Sequence, residues 1–140
     1  MQECIINFGD FDWWGIAIAT IASYAFGAIW YSPLMFGNSW AKLSGQTEEQ
    51  MKSGAATAML VTFITTFLTV LVVEVFIVGM QANVIGQAII IGILIGLFVV
   101  AGNMLSENLY SGRPLKFWWI SAGYRFFMIL IMAVVLGLWR

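Results

Sequence analysis

Residues 89–100 read IIIGILIGLFVV. No charge, amide or proline interrupts them. A wall of a membrane barrel alternates apolar and polar side chains, and this stretch does not alternate. A helix is the form that satisfies its own backbone in hydrocarbon. Working outward, the apolar run covers residues 84–105. Three more follow the same pattern, at about 13–31, 55–80 and 117–139. Each has the roughly 18 or more residues that cross a ~30 Å hydrocarbon layer.

The rest of the composition agrees. Of 140 residues, 61% are hydrophobic and 9% charged, too few polar side chains to coat a small water-soluble domain. The reading is a single all-α domain over residues 1–140, a bundle of four transmembrane helices. Glu3, Asp10 and Asp12 precede the first run, where a cleaved signal would carry basic residues. Cys4 stands alone and there is no histidine, so neither an internal disulfide nor a metal-ligand set is expected. A net charge of −1 offers no basic patch for nucleic acid.

The connections have legible signals. Asp10 or Asp12 can cap helix one. Trp13 and Trp14 then mark one membrane interface, and Trp30 with Tyr31 the other. Pro33 ends that helix and, after Ser32, can open a new one. Phe36, Trp40 and Leu43 share one face, so residues 33–44 read as a short helix lying in the interface. Thr47 and Gln50 form a capping-box pattern, which starts helix two near Glu48, ahead of its apolar run. Asn83 can cap helix three, which runs past Glu107 to stop at Ser111-Gly112. Lys42, Lys52, Arg113 and Lys116 fall on one side and only Arg140 on the other. That bias puts those loops in the cytoplasm and both termini outside.

Two charges interrupt the spans, Glu74 and Arg125. Intramembrane charges are costly and mark sites or paired anchors. Arg125 lies about 12 Å below the cytoplasmic start of its helix and Glu74 about 9 Å from the opposite surface, too far apart in depth for an easy pair. Arg125 therefore reads either as an anchor to Asn103 or Glu107 of helix three, or as a contact for an anionic headgroup. Glu74 reads either as a hydrogen-bonded structural carboxyl or as a proton site. Thr62, Thr65, Thr66 and Thr69 share a face whose hydroxyls are expected to bond back to their own helix. Gly92 and Gly96 form a GxxxG pair suited to close helix packing, including packing between copies. Tyr24 and Tyr31 of helix one, with Ser121, Tyr124 and Arg125 of helix four, can line a small amphipathic pocket roofed by Phe36 and Trp40.

Residues 26–45, FGAIWYSPLMFGNSWAKLSG, precede an acidic capped helix, and residues 121–139 read SAGYRFFMILIMAVVLGLW. Together they resemble the domain of unknown function 1761 family, small bacterial membrane proteins. Gly27, Trp30, Tyr31, Pro33, Phe36, Gly37 and Trp40 carry the resemblance, with Gly123, Tyr124, Gly137 and Trp139 as a second match. It implies a four-helix integral membrane protein and supplies no activity.

On function, aromatic-rich interfaces and packing glycines favour a non-enzymatic accessory subunit, or a module that binds lipid or a small amphipathic molecule. It is expected to work as a homo-oligomer or within a larger membrane complex. The alternative is a small proton-coupled transporter using Glu74. An enzyme would need a nucleophile–base pair or a metal set, and none is visible; no cofactor is implied.

Overall fold

The computed structural model describes residues 8–32, 34–82 and 84–138. The Pro33 stop, the Asn83 cap and the end of the fourth span at Trp139 lie outside them. Every regular element described is helical. A single turn at Phe8–Asp10 leads into α1 (Trp13–Trp30), then a short α2 (Gly37–Ser44), α3 (Glu48–Gly79), α4 (Ile85–Ser111) and α5 (Leu115–Leu138). Apart from α2, these helices are long and apolar enough to cross a membrane.

Local chemistry sets the ends. Asp12 caps α1, its Oδ1 accepting the Gly15 N–H at 3.2 Å. The Thr47 hydroxyl accepts the Gln50 N–H at 3.1 Å, and Gln50 Oε1 accepts the Thr47 N–H at 3.0 Å. This reciprocal pair starts α3 well before its apolar stretch. At the head of α4, Gln87 Oε1 accepts the Val84 N–H at 3.4 Å. Gly45 and Gly112, at φ 75° and 73°, end α2 and α4 in the left-handed region that glycine enters freely.

The turn after α1 requires Gly37. The Gly37 N–H reaches Ser32 O at 3.1 Å, and the Phe36 N–H reaches Trp30 O at 3.0 Å. A Cβ on Gly37 would fall 2.2 Å from the Tyr31 carbonyl oxygen. The residue that weakens α2 by propensity is the one that lets the chain fold back on α1.

The centre of the bundle is α5, which packs against α1, α3 and α4. Ile16, Val70, Val73, Ile77, Met132 and Leu136 fill the interior. Between helices in lipid, the gain comes from close packing more than from water exclusion. Small residues allow it: a Cβ on Gly92 would lie 2.7 Å from Ala133 Cβ, and one on Gly96 3.1 Å from the Phe126 ring. The GxxxG face is thus occupied within the chain by α5.

One irregularity was not legible in the sequence. Residues Leu94–Ala101 of α4 are wound as a π-helix, with the Gly102 N–H reaching back to Leu97 O. Such wide turns redirect carbonyls. Ala101 O accepts the Trp118 indole N–H at 3.0 Å, and Val99 O accepts the Asn103 amide.

Candidate functional site

Trp30 and Tyr31 are half-buried, and both have partners within the bundle. Trp30 donates its indole N–H to Ile120 O at 3.0 Å, which fastens the end of α1 to α5. Beside it, Tyr124 of α5 is 3% exposed and lies against Gly27. A Cβ at position 27 would come within 2.8 Å of that ring, so glycine there seats the tyrosine. Tyr31 meets Tyr124 edge-on at 5.1 Å, and Trp40 meets Tyr31 at 5.8 Å. Phe117 stacks on Trp40 at 6.0 Å. The result is a file of four rings from mid-α5 to the α4–α5 loop. A guanidinium closes each end: Arg125 lies 5.2 Å from the Tyr124 ring centre and Arg113 4.7 Å from that of Phe117. Each is within cation–π range.

This file is one wall of a groove of about 390 Å³. The opposite wall is α3, which contributes Met51, Ala58 and Thr62, and Gly37 adds part of the floor. A second hollow of about 200 Å³ continues it between α1 and α3, sharing Ala58, Thr62 and Tyr124 and adding Tyr24, Ala28 and Met59. The Tyr24 hydroxyl donates to Met59 O at 3.1 Å and ties the two helices just beyond that opening. Across the groove the sizes are complementary, large rings on one side and small residues on the other, and this keeps it open.

Arg125 is the charge within the groove. Among the described residues it has no ion pair and no hydrogen bond; the Tyr124 ring is its one specific contact. The expected anchor to Asn103 or Glu107 is not formed. Asn103 is exposed and spends its amide on Val99 O of its own helix. Glu107 is exposed and borders, with Ser121, a separate hollow of about 120 Å³ at the α4–α5 loop. Of the residues expected in the pocket, Tyr31, Trp40, Tyr124 and Arg125 meet in the groove, and Tyr24 lines its continuation. Phe36 does not roof the groove; it packs on Trp30 at 4.5 Å, facing a different cleft. Sequence reasoning missed Met51 and Ala58, whose flexible or small side chains carry no chemical signal of their own, and read Thr62 only as part of a back-bonding face.

The other cleft, about 430 Å³, lies largely on the far side of α5. Trp30, Phe36, Trp118, Trp119, Phe126 and Phe127 are among its walls. Two of its indoles turn their N–H groups to backbone carbonyls, so it presents almost only carbon.

Glu74 sits elsewhere, at the opposite end of the bundle, fully buried. Its Oε2 accepts the Asp12 N–H at 3.2 Å. The carboxyl group thereby holds the N-terminus of α1. Between Glu74 and the groove lie Val70, Val73, Ile16 and Met132, all buried. Of the threonine face, Thr65 and Thr69 bond back to Thr62 O and Thr65 O. Thr66 is 1% exposed and its hydroxyl has no partner. No cluster of three metal-ligating side chains occurs among the described residues.

These features define a class: an all-helical chain with four membrane-spanning candidates and a ring-lined groove that holds one cation unpaired among the described residues. The family described as "Protein of unknown function (DUF1761)" matches over residues 14–137, and the chain belongs to that family. No curated protein and no solved structure matches it.

Proposed function

We propose that this chain is a non-enzymatic membrane module that holds an amphipathic molecule by its anionic group in the Arg125 groove. One observation carries the reading: a guanidinium about 15 Å along α5 from Leu115 faces a cavity with no acidic partner among the described residues. A lone cation is expensive in a membrane unless something neutralises it, and the cavity leaves room for the neutralising group. The Tyr124 and Thr62 side chains border the same space and supply hydroxyl donors, while the rings suit the apolar part of the guest. Its described lining residues include no carboxylate, thiol or imidazole to move a proton, which is why we read it as binding without catalysis.

The membrane setting follows from the same residues. The module sits in a bacterial inner membrane with both termini outside, Lys42, Lys52, Arg113 and Lys116 marking the cytoplasmic side. There α2 lies in the headgroup layer with Trp40 turned inward. Long exposed apolar faces on α3 and α4 suit assembly with lipid and further membrane subunits. Transport driven through Glu74 has weaker support, because that carboxylate holds α1 and packed core separates it from the groove.

The test is native mass spectrometry of protein released from the membrane in a lipid-retaining polymer. The wild type is expected to carry a bound acidic amphipath, and Arg125→Gln to lose it. Equal occupancy in both proteins would overturn the reading.

A further inference from the structure

The groove does not end at Arg125. Its continuation between α1 and α3 is bordered by Ala28 and Met59, both exposed on the outside of the bundle. The gap exists because the residues on either side are small: Gly27 and Ala28 on α1, Ala58 on α3. It is bounded at one end by Tyr24, whose hydroxyl bridges to Met59 O and whose ring meets Phe63 edge-on at 5.3 Å. The other end is Tyr31, two helical turns or about 10 Å away. So one cavity has a charged, ring-lined chamber, and a side opening that faces the hydrocarbon layer.

The geometry points to a membrane lipid with an anionic phosphate headgroup as the guest. Its headgroup lies against Arg125 and the Tyr124 hydroxyl, and its acyl chain leaves sideways between α1 and α3. This deepens the reading of the groove as an anion site and rests on it. Charge complementarity selects the headgroup. The lateral opening selects a lipid over a free phosphate, because a water-soluble anion has no use for an exit into oil.

The experiment uses the full chain in detergent micelles. Retention of dioleoyl phosphatidylglycerol and dioleoyl phosphatidylcholine is read by native mass spectrometry, and the shift in melting temperature is read with glycerol phosphate. The wild type is expected to retain phosphatidylglycerol about tenfold better than phosphatidylcholine. Arg125→Gln should abolish that preference. Ala28→Trp fills the opening from α1 and lies outside the lining of the Arg125 chamber. It should lower phosphatidylglycerol retention about tenfold while leaving any glycerol phosphate shift unchanged. Met59→Trp, from the other side of the gap, serves if Ala28→Trp does not fold by circular dichroism. If Arg125→Gln keeps the preference, the anion site itself falls. If Arg125→Gln loses it but both tryptophan variants retain lipid like the wild type, only the lateral exit falls. Glycerol phosphate binding as tightly as phosphatidylglycerol would also overturn the exit and make the guest a soluble phosphate.

Discussion

Gly92→Ala tests the packing that holds α4 to α5. The added methyl carbon would sit 2.7 Å from Ala133 Cβ. Ordinary contact begins near 3.4 Å, so the helices must part by about 0.7 Å or both residues must shift. The next nearest atoms to that carbon are α5 backbone, at 3.6 Å, and cannot rotate aside as a side chain would. Overpacking of this kind costs about 1–3 kcal/mol. Alanine's better helix propensity returns somewhat less than 1 kcal/mol, leaving a net loss of about 0–2 kcal/mol. Ala133→Gly removes the opposing atom, so the double variant should recover most of the packing loss, with a coupling of about 1–2 kcal/mol. Unfolding in mixed micelles of increasing denaturing detergent, followed by tryptophan emission, gives all four stabilities. A double variant whose losses simply add would show that these helices do not meet at this point.

Other expectations follow from single contacts. Glu74→Ala leaves the buried Asp12 N–H without its acceptor and should cost about 1–3 kcal/mol. Glu74→Gln keeps an acceptor oxygen and should cost markedly less, both read by the same unfolding assay. Trp30→Phe keeps the ring but loses the bond to Ile120 O, for an expected loss of about 1 kcal/mol and weaker hydrogen-exchange protection at the end of α1. Gly37→Ala forces a Cβ against the Tyr31 carbonyl. It should disrupt the turn, seen as a loss of near-ultraviolet circular dichroism from the ring file with helix content largely kept. Thr47→Ala removes a cap and should fray the first turn of α3 for about 1 kcal/mol, read as faster amide exchange at Gln50.

Much of this architecture is readable without coordinates because membrane helices obey few rules. Length and lack of charge gave the long helices, and Thr47 with Gln50 gave the early start of α3. Glycines at positions 45 and 112 gave two of the stops. What stayed hidden depends on partners far away in sequence. Gly37 reads as a weak helix residue, and its role appears only once the Tyr31 carbonyl is above it. Trp30 reads as a membrane-surface anchor, and its inward turn depends on Ile120 O, a partner 90 positions away. The π-wound part of α4 leaves no mark in IIIGILIGLFVV, since every side chain there is apolar. At the groove, the rings and Arg125 are legible as chemistry. The opposite wall is not, because Ala58 and Thr62 contribute by being small. Asn103 and Glu107 looked suitable for Arg125 by depth alone, and the rotation of α4 turns them away.

The far wall of the groove has its own mechanical character. From residue 52 to residue 61, α3 is exposed on every side, and it enters the packed interior only at Thr66. That segment is a cantilever, rooted in the core and free along its length, with the Tyr24–Met59 bond as a light tether. A small tilt at the root opens or narrows the chamber over Arg125 without disturbing Val70, Val73 or Ile77. On the binding role proposed above, guests of different girth would then be gripped by one wall of rings and one sprung helix, with selectivity left to charge.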